Sequence, residues 1–143
     1  MSSIVCAATV VVLLASGQPT SQQFVGTWTS DYSGRTLARV DLQDVNGSVT
    51  GRMSMGVFHV DSDGKLDVVI EEASVYSAIF DVVLRDGVLS FTKLNDGTPN
   101  RYELRAGNDT LKLSFVLTEE AAERAKASGM GAPQPIVFRK AKR

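Results

Sequence analysis

Cysteine is almost absent from this chain of 143 residues. The single cysteine, Cys6, lies inside an apolar run near the start of the sequence. The rest of the chain therefore holds no thiol that would form a disulfide, act as a nucleophile or bind zinc. A domain without disulfides depends on its hydrophobic core, and about 125 residues suffice, because a chain of that length buries roughly two thirds of its unfolded surface.

Histidine is equally scarce, and the net charge is close to zero. His59 is the only histidine, so a two-histidine metal site is excluded and a Ser-His-Asp triad would depend on this residue. No Gly-x-Ser-x-Gly motif supplies a nucleophile, and no spacing selects two of the carboxylates as a glycosidase pair. The formal net charge of -1 gives no bulk attraction to nucleic acid. We expect no cofactor, no metal and no nucleic-acid partner, and a hydrolase remains the second alternative for function.

An acidic segment, residues 61–67 (DSDGKLD), places carboxylates around a glycine as a calcium loop does. With Gly64 at the sixth position of such a loop, however, the first and twelfth positions would fall on His59 and Ile70. These residues are not the carboxylate ligands that the loop requires. The sequence therefore predicts a hairpin turn with Asp63-Gly64 at its tip.

The apolar run, residues 4–15 (IVCAATVVVLLA), is too short to cross a bilayer, which takes about 20 residues. Small residues follow at Ala15-Ser16-Gly17, with the spacing of a signal peptidase site. We predict a signal peptide over residues 1–17, although its start lacks the usual Lys or Arg, and a short polar linker over residues 18–23. The protein is then exported to the periplasm or outside the cell, with no integral membrane segment after cleavage. An uncleaved anchor and a cytosolic hydrophobic start are the alternatives.

The remainder, residues 24–143, is predicted to form a single β-barrel domain. Alternating apolar and polar residues are interrupted by turn pairs, of which Asn46-Gly47 is the strongest hairpin signal, because both residues tolerate positive φ. Asp63-Gly64, Asp86-Gly87 and Asp96-Gly97 repeat the signal. Short strands joined by tight turns give an all-β, antiparallel up-and-down meander, and closure into a barrel removes exposed edges. An open sheet or a sandwich is the alternative.

The pattern changes once, near the end of the chain. Residues 118–128 are rich in helix formers, with acids first and bases last, and predict one short surface helix before a final strand at 136–140. In the strands, alternation places two sets of apolar residues on single faces. These sets are Ala78, Phe80, Val82 and Leu84, and Leu111, Leu113, Phe115 and Leu117.

The stretch Phe24-x-Gly26-Thr27-Trp28, at the start of the domain, resembles the first strand of the calycin superfamily, the lipocalins and fatty-acid-binding proteins. The chain also looks like small exported lipocalin-like bacterial proteins of unknown function. The resemblance implies a lipocalin-like barrel whose end is closed by Gly26 and Trp28, with Arg139 of the last strand packed over the indole. It differs from fatty-acid-binding proteins in two respects. Residues 33–45 continue as strand where those have a helical lid, and no Arg-x-Tyr follows Phe138.

The barrel interior is expected to be built from apolar residues that either line a ligand cavity or fill the core. The candidates for a cavity lining are Met53, Met55, Phe80, Phe91 and Phe115. A cavity would make the protein an exported binder of a small apolar or amphiphilic molecule. A filled core would make it a non-enzymatic envelope protein-interaction or inhibitor domain, with an exposed apolar patch around residues 54–60 or 129–135. The protein partner in that case is unknown.

Overall fold

The computed structural model describes residues 20–141, so the predicted signal peptide and Cys6 lie outside the described residues. Two helices are present in that part of the chain, α1 (Ser21–Phe24) and α2 (Glu119–Ala127), and neither is long and apolar enough to cross a membrane. The ten strands of residues 20–141 are β1 (Gly26–Tyr32), β2 (Arg35–Val45), β3 (Ser48–Met55), β4 (Val57–Val60), β5 (Leu66–Glu71), β6 (Ser77–Arg85), β7 (Val88–Asn95), β8 (Thr98–Ala106), β9 (Thr110–Val116) and β10 (Ile136–Lys140).

Eight of these strands form a closed antiparallel barrel in the order β1-β10-β9-β8-β7-β6-β3-β2. The last strand, β10, lies between β1 and β9 and closes the sheet. The predicted all-β, closed antiparallel barrel is therefore confirmed, with one short helix before the last strand. The open sheet and the sandwich are excluded.

Turn chemistry sets the spacing of the strands. At Asn46-Gly47, Asp86-Gly87 and Asp96-Gly97 both central residues have positive φ, between 49° and 85°. This is the left-handed conformation of tight hairpin turns whose twist matches that of the flanking strands. The predicted turn pairs are thus placed where the barrel strands reverse direction.

Strands β4 and β5 lie outside the barrel, whereas the sequence pattern predicted one continuous meander. They pair only with each other, because β3 pairs directly with β6 through Arg52↔Ala78 and Met53↔Ser77. We call residues 57–71 the cover hairpin. It is held to β2 by the Arg35 guanidinium, which donates to the carbonyl oxygens of Val69 and Ile70.

The two ends of the barrel differ. At the closed end lie α1, the start of β1 and the hairpins of residues 45–48, 85–88 and 106–110. At the covered end, the cover hairpin and the segment of residues 117–135, which includes α2, follow strands that finish there. The half of the barrel near the closed end is filled. Its fully buried side chains include Phe24, Phe91, Phe138, Leu89, Leu104, Leu111 and Leu113.

Strand β6 changes face in its middle, which overturns the prediction that Phe80 lines the interior. Ile79 is 6% exposed and pairs with the inward-facing Lys93, whereas Phe80 is 39% exposed on the outside. The register shifts between Phe80 and Val83, and Asp81 in the shift has a φ of 50°. This bulge moves Val82 onto the core side. The predicted face was right for Val82 and wrong for Phe80.

Candidate functional site

The closed end is built around the only tryptophan. Trp28 is 2% exposed, and its Nε1 donates to the carbonyl oxygen of Phe24 at 2.9 Å. Helix α1 lies over this end, where Ser21 Oγ donates to the Asp44 carboxylate at 2.6 Å. Residues 21–23, predicted as part of a polar linker, therefore belong to a helical turn that covers the barrel end. Gly26 has a φ of 135° beside the indole, a conformation that favours glycine.

The cation near the indole is Lys140 and not Arg139. Lys140 Nζ lies 5.3 Å from the centroid of the Trp28 ring, and the two residues are opposite each other in the β1–β10 pairing. Arg139 pairs with Thr29 and is exposed, because alternation sends it to the outer face once Phe138 points inward. The prediction that Arg139 packs over the tryptophan is therefore corrected. Gly26 and Trp28 do lie together.

The four remaining interior candidates divide between the filled half and the covered end. Met53 and Phe91 are fully buried in the core. Met55 and Phe115 are partly buried and line a cavity at the covered end. The interior is therefore filled in the half near the closed end, and a cavity is present at the covered end.

Two cavities adjoin each other beneath the cover hairpin. The smaller, of about 320 Å³, lies between the cover hairpin, the end of β1 and residues 133–137. The larger, of about 580 Å³, lies between the cover hairpin and the turn that joins β7 to β8. We call the larger one the lysine cavity, because Lys93 lines it. Phe58 and Phe115 line both cavities and separate them.

Aromatic rings run in a column from the cover hairpin into the barrel. The ring centroids of Phe58 and Phe115 are 6.0 Å apart, those of Phe115 and Tyr102 are 5.5 Å apart, and those of Tyr102 and Phe91 are 5.6 Å apart. Such offset and edge-to-face pairs are favourable beyond the area that they bury. Phe58 and Phe115 of this column form the apolar wall between the two cavities, and Phe58 is the only member of the column on the cover hairpin.

Lys93, Asn95 and the hydroxyl of Tyr102 form a polar group in the lining of the lysine cavity. Lys93 is 4% exposed, and its Nζ donates to Asn95 Oδ1 at 2.5 Å and to the Leu94 carbonyl oxygen at 3.3 Å. Asn95 Nδ2 in turn donates to the Tyr102 hydroxyl at 2.9 Å. The sequence pattern did not single out these residues. The signal was present, since Leu89, Phe91 and Lys93 occupy successive inward positions of β7.

Burial shifts the pKa of both titratable groups in this cavity. Desolvation lowers the pKa of Lys93 from the ordinary lysine value, although the negative charge of Asp96 opposes this shift. Desolvation raises the pKa of the Tyr102 hydroxyl, and the hydrogen bond from Asn95 opposes it. The phenol thus keeps its proton at neutral pH. No carboxylate of the described residues lies within ion-pair distance of Lys93.

The residues considered for hydrolysis or metal binding lie elsewhere. His59 Nδ1 is 3.3 Å from Asp67 Oδ2 on the exposed face of the cover hairpin, and no hydrogen bond of residues 20–141 joins it to a serine. Asp61 Oδ1 accepts from the backbone N–H groups of Asp63 and Lys65, which confirms the predicted hairpin turn. Within the described chain, no three His, Cys, Asp or Glu side chains are grouped as metal ligands would be.

Comparison with known proteins does not identify a family for this chain. No family model and no curated protein matches the chain. Among solved structures, the crystal structure of a mutant of the fluorescent protein UnaG is similar, with 13% sequence identity and a TM-score of 0.46, over 85% of this chain and 99% of that one. We draw no functional conclusion from similarity at this level, and the assignment of the closed barrel stands on the strand order of this chain.

Proposed function

We propose that the barrel binds a small apolar or amphiphilic molecule at its covered end. The observation that carries the proposal is the pair of adjoining cavities, of about 320 and 580 Å³, beneath the cover hairpin. Sites for small ligands commonly have volumes of roughly 300–1,000 Å³ and combine apolar walls with a few polar groups. The aromatic column and the Lys93–Asn95–Tyr102 group supply both.

The cover hairpin suits such a site because few bonds hold it. It pairs with no barrel strand. Arg35 of β2 donates to it, and the backbone N–H groups of Gly56 and Ala73, which flank it, donate to the carbonyl oxygens of Leu37 and Thr36. At its tip, the segment after α2 donates two further backbone hydrogen bonds. Segments with little pairing to the rest of a fold open at a lower free energy than the barrel itself. A ligand would enter when this hairpin moves away, and Phe58 would move with it.

Binding of an uncharged fluorescent dye, N-phenyl-1-naphthylamine, tests the proposal. We expect the wild-type protein to bind the dye with enhanced fluorescence. Phe58→Trp places a larger ring between the two cavities and is expected to weaken dye binding by about 10-fold, since overfilled sites lose apolar contacts. The dissociation constants are measured by fluorescence titration.

Phe80→Trp is the matched control, because it makes the same change at a site that is 39% exposed on the outside of the barrel. Its affinity for the dye is expected to equal that of the wild type. If the wild-type protein does not bind the dye, or if both variants weaken binding equally, the covered end is not the binding site and the proposal fails.

A protein-interaction domain is the second candidate, and the outer face of the cover hairpin favours it. Three aliphatic side chains of this face, Val57, Val68 and Ile70, are 45–55% exposed, and Val75 just after the hairpin is 75% exposed. Grouped apolar side chains on a surface commonly mark contacts with other molecules. The dye experiment separates the two candidates, because a protein that acts through this outer face needs no cavity.

We also propose that the protein is exported after cleavage near Gly17, on the basis of the apolar run and the small residues that follow it. The mature protein recovered after expression of the full chain is expected to begin within a residue or two of Gln18, as read by N-terminal sequencing. Ala15→Glu is expected to leave the precursor intact, since a signal peptidase site needs small residues. Wild-type protein that keeps residues 1–17 would contradict cleavage.

A further inference from the structure

We propose that the lysine cavity selects an amphiphile that carries one carboxylate, whose oxygens accept hydrogen bonds from Lys93 Nζ and the Tyr102 hydroxyl. This inference rests on the proposed binding function and adds the chemical class of the ligand. It follows from the hydrogen bonds that these two buried groups make within the described chain, and from the charges around them.

Lys93 and Tyr102 each have one hydrogen-bond donor that no described residue accepts. The Lys93 ammonium has three N–H groups, of which Asn95 Oδ1 and the Leu94 carbonyl oxygen accept two. The Tyr102 hydroxyl accepts from Asn95 Nδ2, so its own proton is available, and no acceptor for it lies among the described residues. Both residues line the same cavity. Two donors without acceptors beside one cavity call for a ligand with acceptor oxygens.

Charge favours a carboxylate over a neutral acceptor. A buried ammonium without a carboxylate partner in the described chain carries a desolvation penalty, which an anionic ligand offsets. Hydrogen bonds between ionised partners are also roughly twice as strong as neutral ones. Tyr102 adds a second donor, and burial keeps its phenol protonated. Lys93 and Tyr102 would therefore hold the two oxygens of one carboxylate.

The rest of the cavity determines how the ligand lies and how much charge it carries. Met55, Phe58 and Phe115 form its apolar wall, and a hydrocarbon tail would lie against them. Three acids, Glu71, Glu72 and Asp96, also line the cavity and are exposed to solvent. These acids repel a ligand with several negative charges or with a charge at its outer end. Lys93 is the one cationic residue that lines this cavity, so a ligand with a single carboxylate would place that group beside Lys93.

Competition between two ligands with the same tail tests the inference. Decanoate and 1-decanol are each titrated against bound N-phenyl-1-naphthylamine at pH 7. We expect decanoate to displace the dye from the wild-type protein at a concentration about 10-fold lower than decanol does. Lys93→Met is expected to remove this preference and to leave displacement by decanol unchanged. Tyr102→Phe is expected to weaken decanoate by about 3- to 10-fold and decanol much less.

Lys112→Met is the matched control, since Lys112 is exposed on β9 and lines neither cavity. It should keep the preference for decanoate. Lys93→Gln, which removes the charge and keeps a donor, gives a second reading if the methionine variant does not fold, and it should also lose the preference. Equal displacement by decanoate and decanol in the wild type, or loss of the preference in Lys112→Met, overturns the inference and leaves the binding function standing. A wild-type protein that binds no dye overturns both.

The preference for decanoate over decanol is expected to decrease as the pH rises. The carboxylate binds the protonated amine, so the preference for decanoate falls as the pH rises through the pKa of Lys93, which burial places below the ordinary lysine value of about 10.4. Asp and Glu side chains in general are already ionised in this range, and Tyr102 has a raised pKa. In Lys93→Met the ratio of the two ligands should not change between pH 7 and pH 10. A wild-type preference that stays constant with rising pH contradicts the proposed role of Lys93.

Discussion

Replacing Trp28 with alanine is expected to lower the free energy of unfolding by about 3–5 kcal/mol, as the loss of a large buried aromatic side chain does. The indole is 2% exposed and belongs to the main hydrophobic core. Its removal leaves a cavity at the closed end. It also removes the hydrogen bond from Nε1 to Phe24, the residue that ends α1 and is itself fully buried.

Chemical denaturation followed by far-ultraviolet circular dichroism measures this loss, because the variant has no tryptophan for fluorescence. Phe80→Ala is the control, since it also removes an aromatic ring but at a site that is 39% exposed. It should lose no more than about 1 kcal/mol. A loss below about 1 kcal/mol in Trp28→Ala would mean that the closed end does not depend on the indole.

The closed end also shows what the sequence could predict. Gly26 and Trp28 share a face of one strand, and alternation alone places the indole among core residues. The same rule, applied to β10, selects Lys140 and not Arg139, because Phe138 and Lys140 lie two residues apart. The resemblance to lipocalins favoured an arginine in this place. Local alternation was the better guide.

Strand β6 marks a limit of the alternation rule. The segment of residues 77–84 (SAIFDVVL) is apolar on both faces over most of its length. Its pattern does not show that the bulge at Asp81 reverses the face between Phe80 and Val82. A bulge adds one residue to a strand, and only the register with the neighbouring strand shows where it falls. Phe80 was therefore assigned to the wrong face.

The cover hairpin marks a second limit. Its strands and its turn are visible in the sequence, but their exclusion from the barrel depends on pairing between β3 and β6, which are more than 20 residues apart. Long-range pairing of this kind leaves no local pattern. The lysine cavity exists because the hairpin lies over the barrel end, so the candidate site was less predictable than the barrel itself. Of the residues that line it, the sequence indicated Met55 and Phe115 as interior candidates.

Substitution of Gly64 with alanine tests how the cover hairpin is held closed. Gly64, in the turn of this hairpin, has a φ of 78°, and an added Cβ would lie 1.8 Å from the Ala132 carbonyl oxygen. The backbone N–H of Gln134 donates to the Gly64 carbonyl oxygen at 2.9 Å, and that of Gly131 donates to Asp61 at 2.9 Å. The glycine thus allows the hairpin tip to approach the segment after α2 at backbone distance.

The alanine variant is expected to lower the free energy that keeps the cover hairpin docked by about 2–4 kcal/mol. Of this, about 1–2 kcal/mol comes from the left-handed backbone of a residue with a Cβ, and about 1–2 kcal/mol comes from the contact with Ala132. Amide hydrogens of β4 and β5 should therefore exchange roughly 30- to 700-fold faster, since 1.4 kcal/mol corresponds to a factor of ten. Hydrogen exchange followed by mass spectrometry or NMR measures this.

Gly47→Ala separates the two contributions. Gly47 has a φ of 85° in the turn between β2 and β3, and an added Cβ meets no atom within 4 Å. It therefore carries the backbone penalty without the clash, and it lies at the closed end. Exchange in β4 and β5 should not change in this control, and amides of β7 and β8 should keep wild-type rates in both variants. If Gly64→Ala accelerates exchange throughout the barrel, the hairpin and the barrel unfold as one unit, and the covered end does not open separately to admit a ligand.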